Sequence, residues 1–416
     1  MASTKQIPID QVKLGMFVVG MDQPWYRTPF LFHKRLISDP NDIVQMKRHG
    51  IKEVTIDTER GTDVGQDPAP TQEAAPETPS EAPPDEKSPG PSNREDSPAQ
   101  HVAAAKAAYR EATAAMERVF SDLEAGTSPK LVTLKNIVGG LLNRILTHPD
   151  SMMIQLCLEQ MRRFDRTLAS HGMEVCILAL IVAVENGCVE TDRETLGVGA
   201  LLHDVGYIRL PRNLYRKSSR LTEQEKSLMH QHPQLAATVL AQGDQFPESV
   251  SKIIAQHHEH ADGSGYPNAL KNDALSSLSQ IVGLVDTYGG MITPRHGRPA
   301  LLPHDAIRQL FILGEKGRFD KALVEVAIKA LGVYPIGSLI KLNTNEYAVV
   351  VGLNREHRLK PRIRIIKSPE GTLYKAPLEI DLTDTDSTGP TRSIQRALDP
   401  NQEHIDVAAY VETKGQ

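Results

Sequence analysis

The sequence predicts a mainly α-helical protein with a small α/β unit at its N-terminus and a small β-rich unit at its C-terminus. Three observations carry that expectation. Apolar residues recur at helical spacing through the middle of the chain, as in Leu196, Ala200 and Leu201, then Ile281, Leu284 and Val285. Past Gly332 the pattern turns strand-like, in the run SLIKLNTNEYAVVVGL. Near the N-terminus, a stretch rich in Pro, Ala, Glu and Ser offers almost nothing that could join a core. At 416 residues the chain also exceeds one ordinary domain.

In chain order, the expected domains are residues 1–58, a linker over 59–99, a helical domain over 100–335 and a β-rich unit with a polar tail over 336–416. In the first, apolar runs at Met16–Val19 and Val54–Ile56 flank a helix expected from Pro40 to His49. Ser38 and Asp39 offer N-capping oxygens there, and Gly50 supplies the stop. The linker, with its DPAPTQEAAPETPSEAPPDEKSPGPSNREDSP segment, is expected to be disordered or extended. Helices are expected over His101–Leu123 and Leu131–Ile145, then in a long block to about Leu331. A hairpin turning at Asn343–Asn345 and the following PRIRIIK segment make the C-terminal unit.

Composition narrows the class of partner. With 52 acidic against 47 basic residues the net charge is -5, which gives no reason to expect a nucleic-acid polymer as ligand. The longest apolar run, Val175–Val184, spans 10 residues, half of what a membrane helix needs, so it predicts a core helix and no membrane insertion. No secretory leader is visible, and the three cysteines (Cys157, Cys176 and Cys188) are few and odd in number. Cys176 and Cys188 lie in or beside the apolar stretch and are expected to be buried thiols. A soluble protein of the reducing cytoplasm is expected.

Histidine is concentrated in the helical region, where ten of the fifteen lie between His148 and His304. In order come His171, His203–Asp204, His232–Pro233, His257–His258–Glu259 and Asp286. Val175, Leu178 and Val182 follow His171 at helical spacing, which puts it on a buried face. His203–Asp204 follows Leu201–Leu202, and Asp286 closes the apolar run QIVGLV. A buried carboxylate is costly unless paired or metal-bound. Imidazoles arriving beside carboxylates suit iron, manganese or zinc, with iron or manganese favoured. His148, His296 and His304 read as incidental, His230 and His260 as solvent-facing or outer neighbours, and Glu259 as an orienter of an adjacent imidazole.

These segments resemble a known family. His203–Asp204–Val205–Gly206, Lys217 with Leu221–Thr222, His232–Pro233, and the HHEHADGSGYP segment followed by Asp286 are similar in order and kind to the HD-GYP family. That family comprises cyclic di-GMP phosphodiesterases of the wider HD superfamily, and the similarity covers about residues 145–335. LGMFVVGMDQPW and the following PF resemble a small domain of unknown role that often precedes it. The resemblance implies an HD-superfamily helical bundle holding two divalent metal ions. Their ligands would be His171, His203, Asp204, His232, His257, His258 and Asp286, with Asp204 bridging. It implies cyclic di-GMP as substrate, opened to a linear dinucleotide (or GMP) by in-line attack of an activated water. Gly265, Tyr266 and Pro267 would shape the wall beside substrate, Lys217 would contact it, and Arg295 would clamp a phosphate oxygen.

The chain also departs from that family's pattern. Tyr207 stands where a lysine is usual after His-Asp-x-Gly; it can donate a hydrogen bond and take a catalytic place beside Asp204, but it brings no positive charge. Ala236, Gly289–Gly290 and His296–Gly297 replace other usual residues, and the paired glycines predict a helix that bends or ends early. Thr167 stands where some members carry a third-metal glutamate, so two metals are expected. An active phosphodiesterase is therefore weighed against a degenerate module that binds metal or dinucleotide and signals through protein partners. A homodimer through the alanine-rich helix is a further expectation.

Overall fold

The computed structural model describes residues 4–22, 35–37, 40–48, 50–62, 98–162, 167–215, 217–241, 245–384 and 391–412. These fall into two compact units, 1–94 and 95–416. In the first, strands β1 (Thr4–Pro8), β2 (Phe17–Met21), β3 (Arg35–Leu36) and β4 (Glu53–Asp57) form an antiparallel sheet ordered β1-β4-β2-β3. Helix α1 (Pro40–Arg48) precedes β4. Ile7, Met16, Val18, Met46, Val54 and Ile56 fill its core, as alternation within the strands requires. The N-capping residues Ser38 and Asp39, His49, the QPW and PF segments and most of the linker lie outside the described residues.

The second unit is a helical bundle followed by a sheet. Its helices are α2 (Pro98–Glu124), α3 (Leu131–Thr147), α4 (Pro149–Arg162), α5 (Leu168–Glu185), α6 (Glu190–Leu202), α7 (Arg212–Tyr215), α8 (Glu223–Met229), α9 (His232–Leu240), α10 (Glu248–Gln256), α11 (Ser277–Met291), α12 (Pro303–Glu315) and α13 (Lys321–Leu331). The central helix is α5, which is buried all round from Ala169 to Ala183 and packs against α2, α6, α11 and α13. By length and composition it is, among the described residues, the one helix able to cross a membrane, yet 83% of it is buried inside the fold. It is the core helix that the apolar run predicts.

Strands β5 (Leu339–Leu342), β6 (Tyr347–Gly352), β7 (Arg362–Lys367), β8 (Leu373–Asp381) and β9 (Ile394–Ala397) make an antiparallel sheet ordered β8-β7-β6-β5-β9. Its core holds Ile340, Leu342, Val350, Ile363 and Ile365. A short helix, α14 (Ala408–Val411), ends the described chain and packs on β6 and α4. Helix α11 ends at Met291, one residue past Gly289–Gly290, in keeping with an early end at the paired glycines. One local expectation changes here. Cys188 is only half-buried, since it follows the turn that ends α5 rather than lying within it.

Candidate metal centre

All seven side chains expected as ligands meet in one place. His171 projects from α5, His203 caps the end of α6 with Asp204 just beyond it, and His232 opens α9. His257 caps the end of α10 with His258 next to it, and Asp286 lies on α11. Two glycines let these elements close up. A Cβ on Gly206 would lie 1.9 Å from the His232 carbonyl oxygen, and one on Gly283 would lie 2.2 Å from that of His257. Only glycine permits either approach, and each draws one ligand-bearing element onto the next.

Asp204 organises the cluster through its two oxygens. Oδ2 lies 3.5 Å from Nε2 of both His171 and His203, while Oδ1 lies 3.2 Å from His232 Nε2 and 3.7 Å from His257 Nε2. His171 Nε2 also meets Asp286 Oδ1 at 3.0 Å, and His258 joins His232 and His257 around Asp204. Three rings share one support: Nδ1 of His203, His232 and His257 lies 2.8 Å from the carbonyl oxygen three residues earlier, at Ala200, Met229 and Ile254. A donated Nδ1–H there fixes each ring and turns the Nε2 lone pair into the cluster. Main-chain carbonyls thus orient these imidazoles.

The electrostatics fit cations. Burial alone would raise the Asp204 carboxyl, but the charge of His203 and hydrogen bonds from His232 and His257 hold it well below the usual carboxylate range. Asp286 is likewise opposed by burial and held low by His171. Burial, then neighbouring His257 and His232, push His258 well below its ordinary value, so it is the neutral imidazole that a metal requires. The buried Nε2 of His203 has no hydrogen-bond partner among the described residues. A buried ring nitrogen aimed at a carboxylate cluster is what a metal site leaves behind. The donor set therefore fits divalent cations, with mixed imidazole and carboxylate ligands and no thiolate.

The expected substrate residues divide between two walls. Tyr266 stacks between His230 (ring centroids 3.8 Å apart) and His258 (4.6 Å), beside the cluster. Gly265 lies against the backbone of Glu259 and His260, and Tyr266–Pro267 is a cis peptide. Glu259 corrects an expectation: it accepts the amide N–H groups of Asn268 (2.6 Å) and Leu270 (2.9 Å), so it tethers the Gly-Tyr-Pro loop rather than an imidazole. His230 is exposed as expected but holds Tyr266 from outside. On the other wall, Tyr207 stacks on His232 at 4.2 Å within an apolar group that includes Leu210, Leu214 and Met229. Burial and then the charge of Asp204 raise its phenol well above the usual value, so it stays protonated.

Arg295 sits over the Tyr215 ring at 5.2 Å, close enough to Tyr207 to oppose that rise. Lys217 lines the same cavity wall but is held by both carboxylate oxygens of Glu225 at 2.7 Å. His296, expected to be incidental, places Nδ1 2.8 Å from the Lys217 carbonyl oxygen and so fastens the arginine loop. Thr167, at the third-metal position, instead caps α5 in a reciprocal pair with Ser170. Tyr215 carries no sequence signal. Glu174, an acid three residues after His171 inside an apolar helix, could have been noticed from its neighbours alone.

Residues 151–323 match the family model described as HD domain. The motifs in this span are similar to those of the HD-GYP family. A domain of unknown function (DUF3391) matches residues 4–132, and a KOW domain associated with HD domain matches 339–404. Cyclic di-GMP phosphodiesterase PA4108 of Pseudomonas aeruginosa is 27% identical over 94% of this chain and 91% of its own length. Cyclic di-GMP phosphodiesterase PdeB of Borreliella burgdorferi is 26% identical over 47% of this chain and 51% of its own. Among solved structures, Bd1817, an HDG"Y"P protein from Bdellovibrio bacteriovorus, covers 78% of this chain and 98% of its own, at 18% identity and a TM-score of 0.46.

Proposed function

We propose that this chain is a cytoplasmic, metal-dependent phosphodiesterase that hydrolyses cyclic di-GMP to a linear dinucleotide. One observation carries the reading: Asp204 turns one oxygen toward His171 and His203 and the other toward His232 and His257, so a single carboxylate joins two half-sites. In it, His171, His203, Asp204 and Asp286 would hold one ion, and Asp204, His232, His257 and His258 would hold the other. Iron or manganese is favoured over zinc. A pair of divalent ions held there would supply an acidified water and stabilise charge at the phosphate. Arg295 takes a phosphate oxygen with its planar fork. Tyr207 remains a phenol and donates a hydrogen bond, without the charge of a lysine. Relatives named as cyclic di-GMP phosphodiesterases support the substrate.

A second reading draws on the packing of Tyr207 among apolar side chains and the capture of Lys217 by Glu225, which leave fewer cations for phosphate. It makes the domain a metal-bound module that signals by protein contact. Turnover of cyclic di-GMP by anaerobically purified protein, with metals quantified on the same sample, separates the two. Linear product from protein carrying about two ions, as such a site requires, is the expected outcome. Bound metal with no product across iron, manganese and zinc would turn the assignment to the second reading.

A further inference from the structure

The phosphodiesterase reading gives Tyr215 no part, yet ring contacts join it to both Arg295 and the metal centre. It ends α7, and its ring centroid lies 5.2 Å from that of Tyr207, which in turn stacks on His232 at 4.2 Å. Tyr215 also carries the Arg295 guanidinium, 5.2 Å from its ring centre. A cation over an aromatic face within about 6 Å is attracted by the ring quadrupole. Arg295 needs such a hold. It opens a tight turn closed by two main-chain hydrogen bonds with Arg298 (3.1 and 2.9 Å), in which His296 and Gly297 take positive φ of 51° and 74°. The turn fixes the main chain but leaves the long arginine side chain its rotamer freedom. The segment after α7 docks the same turn, since His296 Nδ1 lies 2.8 Å from the Lys217 carbonyl oxygen. That contact fastens the turn, and the Tyr215 ring fastens the guanidinium. Burial works against the charge of Arg295, with Asp204 and Asp286 among the groups that support it, so the cation lies within electrostatic reach of both carboxylates.

We infer that Tyr215 is a positioning residue, whose ring holds the Arg295 guanidinium in place for a phosphate of the substrate. The inference rests on the phosphodiesterase reading. Its test is a double-mutant cycle on the full metal-loaded chain, read by equilibrium binding of a hydrolysis-resistant phosphorothioate form of cyclic di-GMP. Tyr215→Leu is expected to weaken binding about two- to thirtyfold, the range of a cation–π contact from exposed to desolvated sites, at unchanged metal content. Tyr215→Phe, which keeps the ring, should bind within about twofold of wild type. In an Arg295→Ala background the leucine exchange should cost nothing further, because a residue that acts through Arg295 then has nothing to place. Tyr215→Met takes the place of the leucine variant if that one fails to fold. No loss in Tyr215→Leu, the same loss in both backgrounds, or an equal loss in Tyr215→Phe would overturn the assignment and leave the phosphodiesterase standing. No binding of the analogue by metal-loaded wild type would remove both.

Discussion

At the scale of single residues, the metal centre depends on charges that would not tolerate burial alone. Asp204 is the sharpest case, because four imidazoles converge on one carboxylate. Asp204→Ala should strip the bound metal and abolish hydrolysis; full metal content in that variant, read by elemental analysis, would end its bridging role. Tyr207→Lys tests the donor on the opposite wall. Restoring a cation should raise turnover about tenfold or more, and an unchanged rate would show that the phenol stacked on His232 has its own part. His260 supplies a pH dependence. Burial and Arg318 lower it from 6.5 to about 4, and its Nδ1 accepts the Arg318 Nε–H at 3.2 Å. A lowered histidine is neutral in both states above the unfolded value. Between about 6.5 and 4 the unfolded chain binds the proton and the folded one does not, so stability falls as pH drops through that window. His260→Gln should flatten the acid slope of the melting temperature there by up to one proton, at matched metal loading. Equal slopes would contradict the shift.

At the scale of elements, helix termini do most of the placing. His203, His232 and His257 lie at helix ends, where a carbonyl three residues back can receive the Nδ1–H. Only His171 and Asp286 come from within helices, α5 and α11, and α11 reaches the cluster because Gly283 lies against the His257 carbonyl. Gly283→Ala puts a methyl 2.2 Å from that oxygen, so α11 must move away from α10 and carry Asp286 with it. We expect loss of about one metal ion per chain with helical content intact, read by metal analysis beside far-ultraviolet circular dichroism. Unchanged stoichiometry would mean the contact relaxes elsewhere. Helix α11 also shows propensity at work, since it ends at Met291, one residue past Gly289–Gly290.

At the scale of the whole molecule, the site lies within the unit 95–416, whose core is organised around α5. Each ligand belongs to that unit, and the bundle helices bury their own apolar faces. Residues 95–416 prepared alone should therefore unfold cooperatively and keep the metal content of the full chain; calorimetry and metal analysis check this. A piece that is molten or metal-free would show that the N-terminal unit completes the fold. The N-terminal unit has a separate core of Ile7, Met16, Val18, Met46 and Ile56, and its role is set neither by charge nor by a cluster of titratable groups among its described residues.

The sequence by itself determined which residues could carry the chemistry. Histidines beside aspartates at the ends of apolar runs have few stable uses other than metal binding, because burial of a charge must be compensated. Helical and strand periods likewise marked the bundle and the C-terminal sheet, since amphipathic spacing is a local property. What each remaining group touches was decided only in three dimensions. Nothing local tells that Glu259 reaches the Asn268 and Leu270 amides instead of a ring, that Glu225 holds Lys217, or that His230 backs Tyr266. Glu174 stood in plain view among apolar neighbours, yet only the packing of α4, α5 and α11 set it on a cavity wall. Hydrogen bonds form between groups that packing brings within 3 Å, and packing is settled by the whole chain at once.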